Sequence, residues 1–229
     1  MKRARTMTLW LGVIFLFSKP AYAAPPIDPD AEPAAGAPQA VFNFDKDIPN
    51  QLPKGFSLPN LTRVSTACWS VQGKSRPVSR PHVLVQNGQA GPGNPFSLIL
   101  VKDLFLEDGD ITVKFKVTEN PGSESLGIVY RYQNPELYHV AVIDTKDIGC
   151  SLYRVKKDKL KQLDNKGAIV SPYTWHTLRL LFRKSLYTLY LDGQLVMGGK
   201  DKTDLRPGQV GLWTTDGTTA EFDDLVIAP

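Results

Sequence analysis

A chain of 229 residues with 42% hydrophobic residues is long enough for one cored domain with appendages, and too apolar to be disordered throughout. The formal charge of +4 suggests a basic protein, but Lys2, Arg3, Arg5 and Lys19 supply all of it: residues 1–23 contain no acid, and the remainder balances 23 bases against 23 acids. Eighteen Gly, eighteen Pro and many Tyr, Phe and Trp favour short strands joined by turns over a helical bundle.

The amino terminus has the form of an export signal. A basic start is followed by the eleven-residue apolar run Met7 to Phe17, a break at Ser18 to Pro20, and the small-x-small pattern Ala21, Tyr22, Ala23. The run is about half the roughly 20 residues a membrane-spanning helix needs, so cleavage after Ala23 is expected, with no membrane insertion of the mature chain. Residues 24–40 hold five Pro and six Ala and no aromatic residue, which predicts an extended spacer. The spacer carries −3, leaving +3 for a domain over 41–229, too little for a nucleic-acid-binding protein. Lys156, Lys157, Lys159 and Lys161 form the densest basic cluster and read as a solvated hairpin tip. Cys68 and Cys150 either form the one disulfide possible in an oxidising compartment or remain two buried thiols.

From Val41 onwards apolar residues alternate with a period of two. Ile111, Val113, Phe115 and Val117 define one strand face and residues 177–182 another strand. Asn87 and Gly88 signal a turn, and Asp192 with Gly193 supplies the pair that a type I′ hairpin requires between 187–191 and 194–197. In 127–132, Ile128, Tyr130 and Tyr132 are expected on one face and Val129 and Arg131 on the other; in 137–143, Tyr138, Val140 and Val142 oppose His139, Ala141 and Ile143. A turn at Asn134 to Glu136 would then bring Arg131 and His139 together on one face suited to a polar ligand. About a dozen strands and no convincing helix predict an all-β, two-sheet antiparallel sandwich.

Several chemistries lack their residues. No Gly-x-Ser-x-Gly or His-Glu-x-x-His occurs, and Gly91 to Phe96 has two Pro and a Phe where a dinucleotide loop needs Gly. Glu221 and Asp223 share a strand face and are the nearest approach to a glycosidic carboxylate pair. Aromatic rings on an open sheet face grip sugars by stacking. Trp213, on the face opposite Val210 and Leu212, is the better candidate for such exposure, whereas Trp175 and Trp69 read as core.

The series GIVYRY (127–132), YHV (138–140), WHTLR (175–179), YLDG (190–193), GQVGLW (208–213) and FDDLV (222–226), with the opening 42–56, resembles secreted concanavalin A-like (laminin G-like) jelly-roll domains. Within them it looks closest to the 3-keto-disaccharide hydrolase family, also described as family 16 glycoside hydrolase-like. The resemblance implies an Arg on the strand matched by 127–132, where Arg131 stands, and an acid and a Gln and His at positions occupied here by His139, Trp213 and Thr215. With these groups displaced and the family 16 glucanase set Glu-x-Asp-x-x-Glu absent, the expectation is a monomeric, secreted or periplasmic domain that binds a glycan or polysaccharide without catalysis. Its ligand-binding residues would be Arg131, His139, Trp213 and Thr215 on a concave sheet face. A hydrolase or lyase acting on 3-keto-disaccharides is the alternative, and an envelope scaffold with a protein partner a third. No cofactor is required; the resemblance allows a structural calcium held by Asp45 with Asp223 or Asp224.

Overall fold

The computed structural model describes residues 40–59, 69–73, 77–88, 96–119, 125–145, 149–157 and 159–229. The signal segment and the spacer, apart from Ala40, lie outside them, as does Cys68. Fifteen strands and no helix occur among the described residues: β1 (Ala40–Phe42), β2 (Phe56–Ser57), β3 (Trp69–Gly73), β4 (His82–Asn87), β5 (Phe96–Leu106), β6 (Gly109–Glu119), β7 (Ser125–Asn134), β8 (Leu137–Asp144), β9 (Gly149–Lys156), β10 (Lys159–Gly167), β11 (His176–Arg183), β12 (Leu186–Leu191), β13 (Gln194–Lys200), β14 (Gly208–Thr215) and β15 (Thr219–Ala228). They form two antiparallel sheets. One has eight strands in the order β13-β12-β11-β6-β15-β4-β3, with β1 beside β15; the other has seven, β10-β9-β8-β7-β14-β5-β2. No helix among the described residues is long and apolar enough to cross a membrane.

The alternation read from the sequence builds the core between the sheets. Ile111, Val113, Phe115, Leu178, Leu180 and Phe182 of the eight-stranded sheet meet Ile99, Leu126, Ile128, Ala141 and Leu212 of the seven-stranded one. Each such side chain gains about 1.5–3 kcal/mol by leaving water, which drives the two apolar faces together. Trp69 is core, as expected, and donates its indole N–H to Ser97 Oγ at 2.7 Å. Cys150 lies buried on the inner face, where loss of solvent pushes its thiol up to about 12. At Asp192 and Gly193 the φ angles are 51° and 77°, the positive values that the hairpin turn demands.

The strand faces depart from strict alternation at one place. Arg131 has φ 49°, and the pairing of β7 with β8 shifts register between Tyr130 and Asn134. This bulge turns two consecutive side chains, Tyr130 and Arg131, towards the eight-stranded sheet and sends Tyr132 to the opposite side, among Val129, Tyr138 and Val140. The expected grouping of Tyr132 with Ile128 and Tyr130 is thereby corrected.

Candidate functional site

The seven-stranded sheet is apolar on both faces. Its outer face, turned away from the sandwich, carries a second cluster comprising Leu98, Leu100, Val129, Tyr132, Tyr138, Val140, Val142, Val155 and Trp213, flanked by half-buried Phe96 and Tyr153. Strand register arranges these residues in rows. Leu98, Trp213, Gly127, Val142, Ser151 and Asn165 follow one another across β5, β14, β7, β8, β9 and β10. The next row is Leu100, Gly211, Val129, Val140 and Tyr153 across β5, β14, β7, β8 and β9, and beyond a bulge Phe105 faces Gln209 and Gln209 faces Tyr132. Phe96 and Trp213 stack with centroids 5.0 Å apart, and Tyr132 and Tyr138 with centroids 5.7 Å apart. Phe105, 61% exposed, ends the face on one side, and Leu160, 38% exposed, opposite Val155, ends it on the other.

The close approach of β7 to β8 beneath this face depends on Gly127. A Cβ on Gly127 would stand 1.9 Å from the Ala141 carbonyl oxygen, so only Gly permits that backbone approach.

Trp213 is on the face predicted for it, but it is 2% exposed rather than open, with Phe96 packed against it. Its Nε1 is buried and has no protein acceptor among the described residues. Thr215 lies opposite Phe96 on the same sheet, and its hydroxyl is engaged with Thr218 Oγ1 at 2.9 Å and the Ser125 backbone. Trp175, expected in the core, is half-buried instead, with Lys116 Nζ 4.8 Å from its ring centroid.

Arg131 and His139 are near one another, as the predicted hairpin requires, but inside the sandwich rather than on the outer face. Arg131 is 4% exposed; its guanidinium lies over the Phe182 ring at 5.2 Å and donates to the carbonyls of Glu107, at 3.0 Å, and Lys184, at 2.6 Å. It thus ties β7 to the β5–β6 connection between the sheets and to the β11–β12 turn of the eight-stranded sheet. His139, 1% exposed, stacks on Tyr130 and meets Asp201 Oδ2 through Nε2 at 2.8 Å. Burial tends to raise the Asp201 carboxyl, but hydrogen bonds from His139 and from the Thr203 hydroxyl and N–H outweigh it and hold the group at about 2. The expected concave-face quartet is therefore divided: Trp213 and Thr215 belong to the outer sheet face, Arg131 and His139 to the interior.

Each carboxylate nominated for calcium has protein partners. Asp223 accepts the N–H groups of Val78 and Ser79 and the Ser79 hydroxyl, Asp224 pairs with Lys114 at 2.9 Å, and Asp45 accepts the His82 N–H. Among the described residues no group of three His, Cys, Asp or Glu is placed to hold a metal. Glu221 and Asp223 do share the outer face of the eight-stranded sheet, where Lys116 pairs with Glu221 at 2.6 Å and the 78–79 backbone occupies Asp223. The sequence reasoning missed Phe96, Tyr132, Tyr138 and Tyr153. For Phe96 the signal was the largely apolar run FSLILV at 96–101, which marks a strand covered on both faces rather than one.

The fold is a jelly-roll sandwich with an apolar, aromatic outer face on one sheet. Residues 62–228 match the model of the 3-keto-alpha-glucoside-1,2-lyase-like domain, and the chain belongs to that family. The structure is similar to the carbohydrate binding module CBM66 from Bacillus subtilis, with a TM-score of 0.60 at 15% identity over 80% of this chain and 99% of that one. It is also similar to the GH43 protein BlXynB from Bacillus licheniformis, with a TM-score of 0.58 at 18% identity over 82% of this chain and 39% of that one. A native glycosidic hydrolase gives 0.55 at 14% identity, covering 83% and 95%. At these identities the likeness is one of fold. No curated protein matches the sequence.

Proposed function

We propose that the chain is an exported, non-catalytic carbohydrate-binding jelly roll whose ligand lies on the outer face of the seven-stranded sheet. The observation that carries this reading is the indole N–H of Trp213, buried beside Phe96 without a protein acceptor on a face rich in aromatic rings. A buried donor left unpaired costs about 1–3 kcal/mol, a cost that a ligand hydroxyl oxygen would relieve by accepting the bond once the Phe96 ring packed against the indole moves aside. A pyranose offers both partners the face needs: an axial C–H surface to stack on the half-buried rings of Phe96 and Tyr153, and hydroxyls for Trp213 and the polar row at Ser151 and Asn165. Arg131 and His139 support the non-catalytic reading, because the Arg131 guanidinium is bonded to the Glu107 and Lys184 carbonyls and His139 Nε2 to Asp201 inside the sandwich.

Retention of the purified protein on a panel of immobilised polysaccharides tests the site. Trp213→Phe keeps an aromatic ring but removes the N–H together with part of the indole from a buried position, so it should lower the melting temperature through the cavity it leaves and, at a temperature where it is folded, weaken binding about five- to tenfold, the worth of one hydrogen bond. Phe96→Ala should weaken it further. Wild-type affinity in both variants would remove this face from consideration. Amino-terminal sequencing of the exported protein should begin at Ala24; an unprocessed Met1 would contradict the export reading.

The family description favours a second reading, a lyase or hydrolase acting on a 3-keto-disaccharide. Turnover of a 3-keto-glucoside by the purified protein, abolished by Arg131→Lys at a temperature where that variant is folded, would replace binding with catalysis.

A further inference from the structure

The hairpin of β9 and β10 carries charge that the outer-face site does not use. Arg154 and Lys156 on β9 lie directly opposite Lys161 and Lys159 on β10, and Lys157 occupies the turn with φ 49°. Like charges facing each other across strands destabilise a sheet, so two such pairs in succession need a reason. None of these five bases makes an ion pair with a described residue. Arg154 Nε is buried and has no acceptor among the described residues, and neither has Nδ1 of His139, its cross-strand neighbour on β8. Lysines on an edge strand often block unwanted sheet extension, which accounts for β10. It does not account for Arg154 and Lys156, because β9 is an interior strand with β8 on its other side. Of the nearby acids, Asp201 is engaged by His139 and Thr203, and Asp204, held by Arg206 at 2.7 Å, feels the charge of Lys156 without pairing with it.

We propose that this hairpin binds an anionic glycan, a polysaccharide bearing carboxylate or sulfate groups, through Arg154, Lys156, Lys159 and Lys161. The inference deepens the glycan-binding reading and rests on it. Residues two apart on a strand project about 7 Å apart and opposed residues about 5 Å, so the four cations form a small grid that suits repeated charges along a chain better than one small anion. The opposite side of the same hairpin presents Tyr153, Val155 and Leu160, which continue the outer sheet face. A polysaccharide leaving that face over the β10 edge passes from aromatic and apolar contacts to cations, whereas a nucleic acid or a membrane would require basic charge spread over a wider surface than this otherwise charge-balanced chain supplies.

Equilibrium binding of the purified protein to polygalacturonate, dextran sulfate and neutral dextran tests the proposal, with the first two separating carboxylate from sulfate. We expect at least one acidic polymer to bind more tightly than dextran, and its affinity to fall roughly tenfold between 50 and 200 mM salt, the dependence expected of a few released counterions. Lys159 and Lys161 are exposed, so K159Q/K161Q should fold as wild type by thermal melting and bind the acidic polymer about tenfold more weakly. Unchanged affinity in that variant, or equal affinity for dextran, overturns the inference. Equally tight binding to inorganic polyphosphate or phosphatidylglycerol vesicles overturns the choice of a glycan. If polysaccharides bind in a Trp213-dependent way without preference for charge, only this inference fails; if none binds, the reading beneath it fails too.

Discussion

Arg131 shows how one backbone angle decides which face a side chain serves. Strict alternation predicts an outward Arg, but a left-handed φ at this position sends the guanidinium between the sheets, where it bonds to Glu107 and Lys184 carbonyls. No local sequence signal announces it, since a bulge centred on Arg lacks the Gly or Asn that usually marks positive φ. Its role here is to hold the β5–β6 connection and the β11–β12 turn, so Arg131→Ala should cost about 2–4 kcal/mol in urea denaturation, from charged hydrogen bonds lost and carbonyls left unpaired. A loss below about 0.5 kcal/mol would show the contacts to be idle. Asp201 gives a pH signature. Its folded value, about 2, lies below the ordinary carboxylate value near 4, so the stability it contributes is complete above that ordinary value and is lost as pH falls towards 2. Asp201→Asn should flatten the stability profile between roughly pH 4 and 2, measured by denaturant midpoints. An unaltered slope would mean that the His139 contact does not form in solution.

At the scale of elements, the firmest expectations were those with a local cause. Asp192 and Gly193 make the predicted turn, and Asp192 also accepts the Thr177 N–H at 2.8 Å and faces His176 Nδ1 at 2.7 Å, anchoring the β12–β13 hairpin to β11. The alternation in β6 and β11 places its core residues as read. The outer face of the seven-stranded sheet was less legible, because strands apolar on both sides show no alternation to interpret and their pairing partners lie far apart in sequence. Two glycines separate conformational from steric demands. At Gly193 nothing lies within 4 Å of a built Cβ, so Gly193→Ala should cost only about 1 kcal/mol, for the strained φ of 77°. Gly127→Ala meets the Ala141 carbonyl and should cost about 3 kcal/mol or prevent folding. Equal thermal shifts in the two variants would contradict the close β7–β8 approach.

For the molecule as a whole, the two sheets divide the labour. The eight-stranded sheet has a polar outer face, with Lys116 and Glu221 paired at a largely buried site and Arg179 bonded to Asp110 at 2.7 Å. The seven-stranded sheet presents the apolar and aromatic one, with a cationic hairpin at its edge. Fold class and family were legible from motif order, whereas the division of Arg131 and His139 from Trp213 depended on the bulge and became visible only in three dimensions. The central claim is that ligand recognition lies on the outer face while the interior Arg and His hold the sandwich together. Calorimetric titration of whichever polysaccharide the wild-type protein retains, into Trp213→Phe and into Arg131→Lys held below its unfolding transition, tests it most directly. The account predicts a five- to tenfold weaker affinity for Trp213→Phe and wild-type affinity for Arg131→Lys. Unchanged binding by the first together with abolished binding by the second would contradict it.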